Sequence, residues 1–288
     1  MDIIQQDLTK FSTIRTKSHA KYFCFVQDVK DLEQAIEFKF TNKLEHVILG
    51  NGSNILFSKK EYDDILFIKL TGDFNFFELN KSYARVGGAY SLKLTGKELI
   101  KNGFSDYVFF NLIPACVGGA ITQNAGTGAG QEIKDVCLGV KLFDIMNRDI
   151  VKLTNDECLF EYRNSIIKQV PNRYIVLSAD FSIQNKTDNI EGLILETKER
   201  ISEKINREPS GYSFGSTFVN AKIPAWKCVK KVRAALDSDR GAFYSDKHNN
   251  WIVNKSSSGE DILSLIKETQ SLVKKELNIN LKNEVRII

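Results

Sequence analysis

Two stretches rich in glycine and short polar side chains have the composition of a phosphate-binding site. The longer one, LIPACVGGAITQNAGTGAG, runs from Leu112 to Gly130. Within it, Gly118 and Gly119 would let backbone N–H groups approach an anion closely, and Asn124-Ala125-Gly126 repeats that arrangement one turn later. The shorter one, Gly50-Asn51-Gly52-Ser53-Asn54, is a turn that follows a short apolar run. Together these stretches predict a site for a pyrophosphate group.

The longer stretch matches neither of the common nucleotide-binding fingerprints. Gln131 stands where a G-x-G-x-x-G pattern that starts at Gly126 needs its third glycine, and no strongly apolar strand leads into it. A GxxxxGK[ST] P-loop is also absent from the sequence. Taken alone, the stretch is equally consistent with a tight turn before a short helix, in which small residues serve packing. A second motif, GYSFGSTFVN from Gly211 to Asn220, favours chemistry over packing.

Composition and charge limit the class of protein. The 288 residues exceed a comfortable single core, so two or three compact units are expected. The formal charge of +4 comes from 40 basic and 36 acidic residues spread along the chain, which is too even for a nucleic-acid-binding patch but suits a small anionic ligand. The start, MDIIQQDLTK, lacks the basic end and apolar run of a signal peptide, and no window reaches a membrane span. We expect a cytoplasmic monomer that binds neither nucleic acid nor membrane.

The cysteines and histidines form no disulfide or metal-binding pattern. The five cysteines are odd in number, widely spaced and without a CxxC pair, which argues against both zinc and a disulfide framework. The three histidines are too few and too scattered for a metal site. We therefore expect buried, reduced thiols and no metal. The residues concerned are Cys24, Cys116, Cys137, Cys158 and Cys228, and His19, His46 and His248.

Hydrophobic periodicity predicts helices and strands in alternation, the pattern of an α/β protein. The clearest helix spans Ser258 to Leu277, where apolar residues form one stripe. A helix that begins at Asp31 should bury one face, made of Leu32, Ala35, Ile36 and Phe40. A last strand is predicted over INLKNEVRII, with core residues Ile279, Leu281, Val285 and Ile287. Further helices are predicted over 91–102, 191–205 and 226–232, and strands over 46–49, 64–70, 83–86, 136–143, 148–154, 174–183 and 251–253.

Six motifs, in the same order and at about the same spacing, make the chain resemble the UDP-N-acetylenolpyruvoylglucosamine reductases of bacterial peptidoglycan synthesis. They are GNGSN, IPACVGGAITQNAG with its trailing GQEI, YRNS at 162–165, GSTFVN at 215–220, HNNWIVN at 248–254 and the terminal NEVRII. The resemblance extends from about Thr13 to Ile288. The link from Asn220 to Trp226 is short, so the chain resembles the shorter subtype, which lacks a tyrosine-bearing loop insertion at that point.

The resemblance implies an α+β chain with the FAD-binding fold of the vanillyl-alcohol oxidase (PCMH) type. That fold would form two α/β subdomains over residues 1–70 and 71–186, followed by a C-terminal α/β substrate-binding domain over 187–288. It also implies an enzyme, a UDP-N-acetylmuramate dehydrogenase that uses FAD and NADPH to reduce an enolpyruvyl ether on a UDP-sugar. The cofactor-binding residues would be Gly50, Asn51, Gly52, Ser53, Asn54, Pro114, Ala115, Cys116, Gly118, Gly119, Asn124, Ala125 and Gly126.

Three residues match the family's catalytic positions. Arg163 would stabilise charge on the substrate carboxylate, because a guanidinium can hold a carboxylate in a bidentate fork. Ser216 would donate a proton, and Glu284 would act protonated or by orienting Arg163 or a water. Tyr162, Asn220 and His248 match positions that contact substrate.

Alternative interpretations remain open at this point. Arg163 has the alternative of a surface salt bridge, Ser216 that of a turn-capping residue, and Glu284 that of a solvated charge on a strand. Another FAD oxidase or dehydrogenase of the same fold is the nearest alternative enzyme, although it would lack the joint YRNS, GSTF and terminal glutamate set. A non-catalytic flavin or nucleotide sensor is the third hypothesis, and it would bind FAD without being bleached by NADPH.

Overall fold

The computed structural model describes residues 1–128, 130–236 and 241–288; Ala129, in the longer glycine-rich stretch, lies outside the described residues. The α-helices are α1 (Val29–Thr41), α2 (Leu92–Lys101), α3 (Val117–Gln123), α4 (Ile166–Gln169), α5 (Ile190–Arg207), α6 (Ala225–Val232) and α7 (Gly259–Leu277). The strands are β1 (Ile4–Asp7), β2 (His19–Val26), β3 (Glu45–Ile48), β4 (Ile55–Leu56), β5 (Glu61–Leu70), β6 (Phe77–Leu79), β7 (Tyr83–Gly87), β8 (Cys137–Asp144), β9 (Asp149–Thr154), β10 (Tyr174–Ser182), β11 (Ala242–Tyr244), β12 (Ile252–Asn254) and β13 (Arg286–Ile287).

The chain divides into two compact units, each made of separate segments. Unit 1 comprises Met1–Ile3, Phe23–Asn51 and Ile65–Glu203. Unit 2 comprises Ile4–Tyr22, Gly52–Asp64 and Lys204–Ile288. Strands β2 and β5 and helix α5 therefore contribute residues to both units. The three-part division at residues 70 and 186 stays a prediction.

Unit 1 is built on a five-stranded antiparallel sheet of order β6-β7-β10-β8-β9. The central strand, β10, is buried along most of its length, which its apolar sequence YIVLSADFS permits. Arg85 on β7 lies opposite Asp180 on β10, and its guanidinium donates two hydrogen bonds to that carboxylate at 2.7 and 2.9 Å. Such a bidentate cross-strand pair helps to set the register of the sheet.

An aromatic cluster in unit 1 anchors the segment from which the longer glycine-rich stretch begins. A 3-10 helix, Ser105–Leu112, carries Tyr107 and Phe110 into the core, where their rings pack edge to face at 5.0 Å. Phe110 makes a second edge-to-face contact with Phe181 of β10, at 5.2 Å. The Tyr107 hydroxyl donates to the Ser182 carbonyl oxygen. These contacts fix the segment that ends at Leu112, the first residue of the longer glycine-rich stretch.

Parallel pairing places the shorter glycine-rich turn at the edge of a second sheet. This sheet has four strands in the order β1-β2-β5-β3, and β3 pairs with β5 in parallel, with Ile48 opposite Ile68. Parallel strands end at the same edge, so the turn that begins at Gly50 leaves β3 beside the end of β5. Ligands commonly bind at this edge of parallel strands.

Unit 2 packs around α7. The Ser258 side chain caps this helix by accepting from the Asp261 N–H at 3.1 Å, and the Asp261 carboxylate accepts in return from the Ser258 hydroxyl and N–H. Its apolar stripe faces α6 and the small antiparallel pair of β11 and β12. Strand β13 pairs in parallel with β4, so the last residues of the chain belong to the same core. The buried residues of the stripe are Ile262, Leu265, Ile266, Thr269 and Val273.

Most predicted elements are confirmed, with two corrections. The helices over 91–102, 191–205, 226–232 and 258–277 are present within two residues at each end. Phe40 was predicted to be core but is 39% exposed, because the charged ends of Lys39 and Arg148 lie over its ring where a hydrophobic layer would be needed to bury it. The last strand is shorter than predicted: only Arg286–Ile287 is strand, although Leu281 and Val285 are buried as expected.

All five cysteines are buried and unpaired with one another, as predicted. Burial raises the pKa of the Cys24 thiol to about 12 and that of the Cys158 thiol to about 11, so both stay protonated at neutral pH. Across the described ranges, no helix combines the length and apolar character that crossing a bilayer requires. The described residues also bring together no group of three His, Cys, Asp or Glu side chains that could hold a metal ion.

Candidate functional site

The two glycine-rich stretches meet within unit 1. The Asn51 side-chain amide reaches the Pro114 carbonyl oxygen at 3.5 Å, and a Cβ on Gly50 would lie only 2.7 Å from the Cys116 Sγ. We call this group of residues, Gly50 and Asn51 together with 114–126, the cradle. Because a Cβ at position 50 would clash with Cys116 Sγ, the two stretches can approach each other only with glycine at this position. The other residues of the short turn, 52–54, belong to unit 2.

The two central glycines of the cradle have different roles. Gly118 N–H donates to the Gly88 carbonyl oxygen at 2.8 Å, and a Cβ on Gly118 would lie 3.0 Å from that same oxygen. In the described part of the chain, by contrast, no backbone oxygen outside α3 accepts from Gly119 N–H. A Cβ on Gly119 would meet Cys116 Sγ at an ordinary 3.7 Å. Gly118 thus serves close packing on the sheet, whereas Gly119 N–H has no such backbone acceptor in the described residues.

Asn124 ends helix α3, and its side chain is hydrogen-bonded within the protein. Its backbone is left-handed, with φ of 42°, and its side chain is buried. The side-chain amide donates to the Glu132 carboxylate at 3.0 Å and to the Glu161 carbonyl oxygen at 2.9 Å, while its oxygen accepts from Lys134 N–H at 3.0 Å. Asn124 therefore positions the Ala125-Gly126 segment that follows.

Arg163 is held in place by two anionic or polar partners in unit 1. Its Nη2 donates to the Gly126 carbonyl oxygen at 2.8 Å, and its Nη1 lies 3.6 Å from the Glu132 carboxylate. The Arg163 side chain is only 11% exposed and that of Glu132 14% exposed, so the alternative of a surface salt bridge is wrong. The guanidinium also lies 4.9 Å above the Tyr162 ring, which is itself 43% exposed. A fixed, partly buried guanidinium is suited to binding a carboxylate.

Glu132 is a site residue to which the sequence alone assigned no role. It lies in the GQEI that trails the longer stretch, and it accepts hydrogen bonds from Asn124 and from the Asp135 N–H while pairing with Arg163. Its side chain therefore joins the end of α3 to the guanidinium. The one signal for it in the sequence is the capping-box spacing Glu132-x-x-Asp135, which indicates a helix start and not a link to Arg163.

In unit 2 three of the motifs meet around Thr217. Its N–H donates to the Asn250 carbonyl oxygen at 2.7 Å, and its own carbonyl oxygen accepts from Glu284 N–H at 2.8 Å. The buried Asn250 side chain donates to the Phe218 carbonyl oxygen at 2.8 Å and accepts from the Phe218 N–H at 3.0 Å. Ser216 is therefore attached to a backbone segment that is fixed on both sides.

The segment around Ser216 also depends on a glycine. Gly215 has φ of +83°, a left-handed conformation that favours glycine, and its N–H donates to the Ser213 hydroxyl at 3.2 Å. Ser216 itself is half-buried and forms a β-bridge with Trp251. The left-handed Gly215 and the bridge to Trp251 thus fix the backbone on either side of the Ser216 side chain.

The end of the short turn joins the last residues of the chain within unit 2. Asn54 donates from its side chain to the Glu284 carbonyl oxygen at 3.1 Å, and its own carbonyl oxygen accepts from Arg286 N–H at 3.0 Å. Glu284 is half-buried. Asn54 therefore helps to position Glu284.

Two of the predicted substrate-contacting residues lie in unit 2. Burial lowers the pKa of His248, and the Glu208 carboxylate only partly opposes that effect, so the imidazole is neutral at pH 7. His248 Nδ1 accepts from Asn250 N–H at 3.3 Å, which gives the ring a fixed orientation. The Asn220 side-chain oxygen accepts from Ala225 N–H at 2.9 Å at the start of α6. Tyr162, the third predicted contact, lies in unit 1 beside Arg163.

Comparison with known proteins covers nearly the whole chain. Residues 20–154 match the family described as FAD binding domain, and residues 203–288 match the family described as UDP-N-acetylenolpyruvoylglucosamine reductase, C-terminal domain. The reductase of Clostridioides difficile is 31% identical over 99% of this chain and 92% of its own length. That of Francisella tularensis is 31% identical over 98% of both chains.

The chain belongs to the UDP-N-acetylenolpyruvoylglucosamine reductase family.

Membership of this reductase family makes the protein an oxidoreductase, and its fold agrees. The crystal structure of the UDP-N-acetylenolpyruvylglucosamine reductase from Thermus caldophilus superimposes with a TM-score of 0.82, at 26% identity, over 100% of this chain and 99% of that one. The α+β organisation with an FAD-binding domain of the vanillyl-alcohol oxidase (PCMH) type is thereby confirmed.

The cradle of this reductase family member fits the pyrophosphate of FAD. Gly119 has an N–H near the start of α3 that could donate to a phosphate oxygen. Among the described residues, a Cβ on Gly119 would contact only Cys116 Sγ, at an ordinary distance, so there is space beside this glycine. The glycine at position 50 lets the two stretches approach each other. Backbone N–H groups in a glycine-rich turn suit an anion that carries several oxygens.

Proposed function

We propose that the protein reduces UDP-N-acetylenolpyruvoylglucosamine to UDP-N-acetylmuramate, with FAD as cofactor and NADPH as reductant. The observation that carries the proposal is full-length family membership together with a partly buried Arg163 fixed by Glu132 and Gly126. The reaction belongs to peptidoglycan precursor synthesis, and hence to cell-wall biogenesis, cell shape and cell division. We expect it to take place in the cytoplasm, in a monomer.

In this proposal Arg163 binds the carboxylate of the enolpyruvyl group. The chemistry that FAD supplies when bound is hydride transfer, taken from NADPH and passed to the terminal carbon of the double bond. Addition of hydride at that carbon moves the electron pair of the double bond onto the neighbouring carbon and its carboxylate. A fixed guanidinium lowers the energy of that charge because it pays little reorganisation cost when the charge develops. Glu132 keeps Arg163 in the required orientation.

Ser216 supplies the proton that completes the reduction. The carbon that carries the new electron pair takes a proton from the Ser216 hydroxyl, which gives the saturated lactyl ether, and the serine oxygen regains a proton from solvent. Glu284 orients the proton transfer, through Ser216 or a water, or is itself protonated. Tyr162, Asn220 and His248 contact the sugar nucleotide, and a neutral His248 can donate or accept a hydrogen bond without adding charge.

One anaerobic titration tests the function as a whole. The purified protein should be yellow, with one FAD per chain that denaturation releases. NADPH should bleach the flavin, and the enolpyruvyl sugar nucleotide should restore the colour with formation of UDP-N-acetylmuramate. Bleaching without reoxidation by that substrate would support another FAD dehydrogenase, and binding of FAD without bleaching would support a flavin sensor.

A serine variant tests the proton donor separately. Ser216→Ala removes the proton but leaves the cradle intact, so substrate-driven flavin reoxidation should slow by about 10²–10⁴ while reduction by NADPH stays near normal. Ser216→Cys retains a proton at nearly the same place and should recover part of the rate. Ser271→Ala, on the exposed face of α7, is the control and should match the wild type. Stopped-flow absorbance separates the two half-reactions, and a Ser216→Ala enzyme that reoxidises at the wild-type rate excludes Ser216 as proton donor.

A further inference from the structure

A lysine side chain, Lys69, reaches into the cradle from the end of β5. Its ammonium donates to the Gly50 carbonyl oxygen at 2.5 Å. Parallel pairing brings it there, because Leu49 N–H donates to the Ile68 carbonyl oxygen at 2.8 Å and so sets the end of β3 beside the end of β5. Lys69 is thus held at the first residue of the short turn by strand register rather than by sequence proximity.

The Lys69 ammonium is half-buried and has no counter-ion in the described part of the chain, where no carboxylate lies within ion-pair distance of it. Burial lowers its pKa, and the neighbouring Cys116 sulfur partly opposes that effect. A hydrogen bond to a single carbonyl oxygen does not compensate for the desolvation of a charged group. Placing the charged ammonium here is therefore unfavourable in free energy in the protein alone. It becomes favourable when an anion binds beside the ammonium.

The neighbours of Lys69 indicate which anion this is. The Gly50 carbonyl oxygen accepts from the lysine, and Cys116 Sγ lies beside the Cα of Gly50 and beside that of Gly119 near the start of α3. All of these residues belong to unit 1, and among them the Lys69 ammonium and the Gly119 N–H are the groups that can donate to an anion. A nucleotide diphosphate offers several oxygens and two negative charges to such a set.

We propose that Lys69 is a binding residue for the pyrophosphate of FAD and that it positions Gly50 for the same group. The inference rests on the proposed use of FAD. Lysine acts here as a point charge, as it does beside other glycine-rich phosphate loops. Its carbonyl contact with Gly50 also stiffens the turn from which Asn51 reaches Pro114.

The test compares ligands that share the flavin or the diphosphate but not both. Flavin-free protein is titrated with FAD, ADP and riboflavin, and the dissociation constants are measured by fluorescence quenching or calorimetry for the wild type, Lys69→Met and Lys69→Arg. A charge-assisted hydrogen bond is worth about 1.5–3 kcal/mol, so Lys69→Met should weaken FAD and ADP about 10- to 100-fold. Riboflavin, which has no phosphate, should change by less than about threefold, and Lys69→Arg should restore most of the FAD affinity. Lys152→Met, on the exposed face of β9, makes the same change in net charge and should bind all three ligands as the wild type does.

Two results would overturn the proposal. One is an unchanged FAD affinity in Lys69→Met, and the other is an equal loss for riboflavin and FAD, which would mean that Lys69 only supports the fold. If Lys69→Met does not fold, as judged by circular dichroism, the wild type alone decides: salt should weaken FAD binding but not riboflavin binding, since it screens the ammonium from the phosphates. Salt-independent FAD binding then contradicts the proposal. Failure of the proposed function would look different, because wild-type protein would then bind no FAD or would not be bleached by NADPH.

Discussion

Glu132→Gln should weaken the interaction that holds Arg163 in place without preventing FAD from binding in the cradle. The variant keeps the size of the side chain and an oxygen that can accept from Asn124, but it removes the negative charge that lies 3.6 Å from Arg163 Nη1. Two unit charges at that distance attract each other by about 4–5 kcal/mol at an effective dielectric constant of 20. Desolvation and the remaining exposure of both side chains reduce the net effect to about 2–3 kcal/mol.

The assay measures stability and the two half-reactions on the same variant. We expect the free energy of unfolding in urea to fall by about 2 kcal/mol and the substrate-driven reoxidation of the flavin to slow by about 10- to 100-fold. Reduction by NADPH should stay near the wild-type rate, because Arg163 acts on the substrate carboxylate. Glu98→Gln, which removes a charge from the exposed pair with Lys101, is the matched control and should leave both half-reactions unchanged.

A double-mutant cycle decides whether Glu132 acts through Arg163. Arg163→Lys keeps the charge but loses the planar fork, so it too should impair reoxidation far more than reduction. If the two residues form one unit, the double variant should lose at least about 1 kcal/mol less than the sum of the single effects. Additive effects on reoxidation would refute the reasoning, because they would show that Glu132 stabilises the fold independently of Arg163.

Two further predictions concern unit 1. Gly119→Val should fold, as judged by circular dichroism, because its Cβ meets Cys116 Sγ at 3.7 Å, but it should purify without FAD; retention of stoichiometric FAD would contradict the assigned role of Gly119. Burial raises the pKa of Asp144, but hydrogen bonds from Arg173 and from two backbone N–H groups outweigh that effect and hold the pKa below its ordinary value. The stabilisation from Asp144 is therefore present above the unfolded-state pKa and is lost as the pH falls through the folded-state pKa. Asp144→Asn should therefore cost about 2 kcal/mol in urea unfolding at neutral pH, and this difference from the wild type should close in acid; a constant difference would contradict the assignment.

Local signals in the sequence were sufficient for most helices and for the site motifs. Helix α2 has Ser91 as its cap and Gly103 just beyond its end, with φ of 86°, and α7 has the Ser258 capping box. Such signals depend on residues within a few positions of one another, so they can be interpreted without the fold. The same holds for the motifs that carry Arg163 and Ser216, whose residue types and order indicated the family.

Only the tertiary structure determined which groups in those motifs are available for a ligand. Gly118 and Gly119 are equivalent in sequence, but Gly88 accepts from the first of them alone. Glu132 meets Arg163 because Asn124 ends α3 in a left-handed turn, and Lys69 meets Gly50 because β3 and β5 pair in parallel at one register. Two of these contacts join side chains to residues that are far apart in the chain, and the third depends on which carbonyl oxygen lies near the N–H of each glycine. Local sequence patterns carry no information about such distances, because packing and strand register set them.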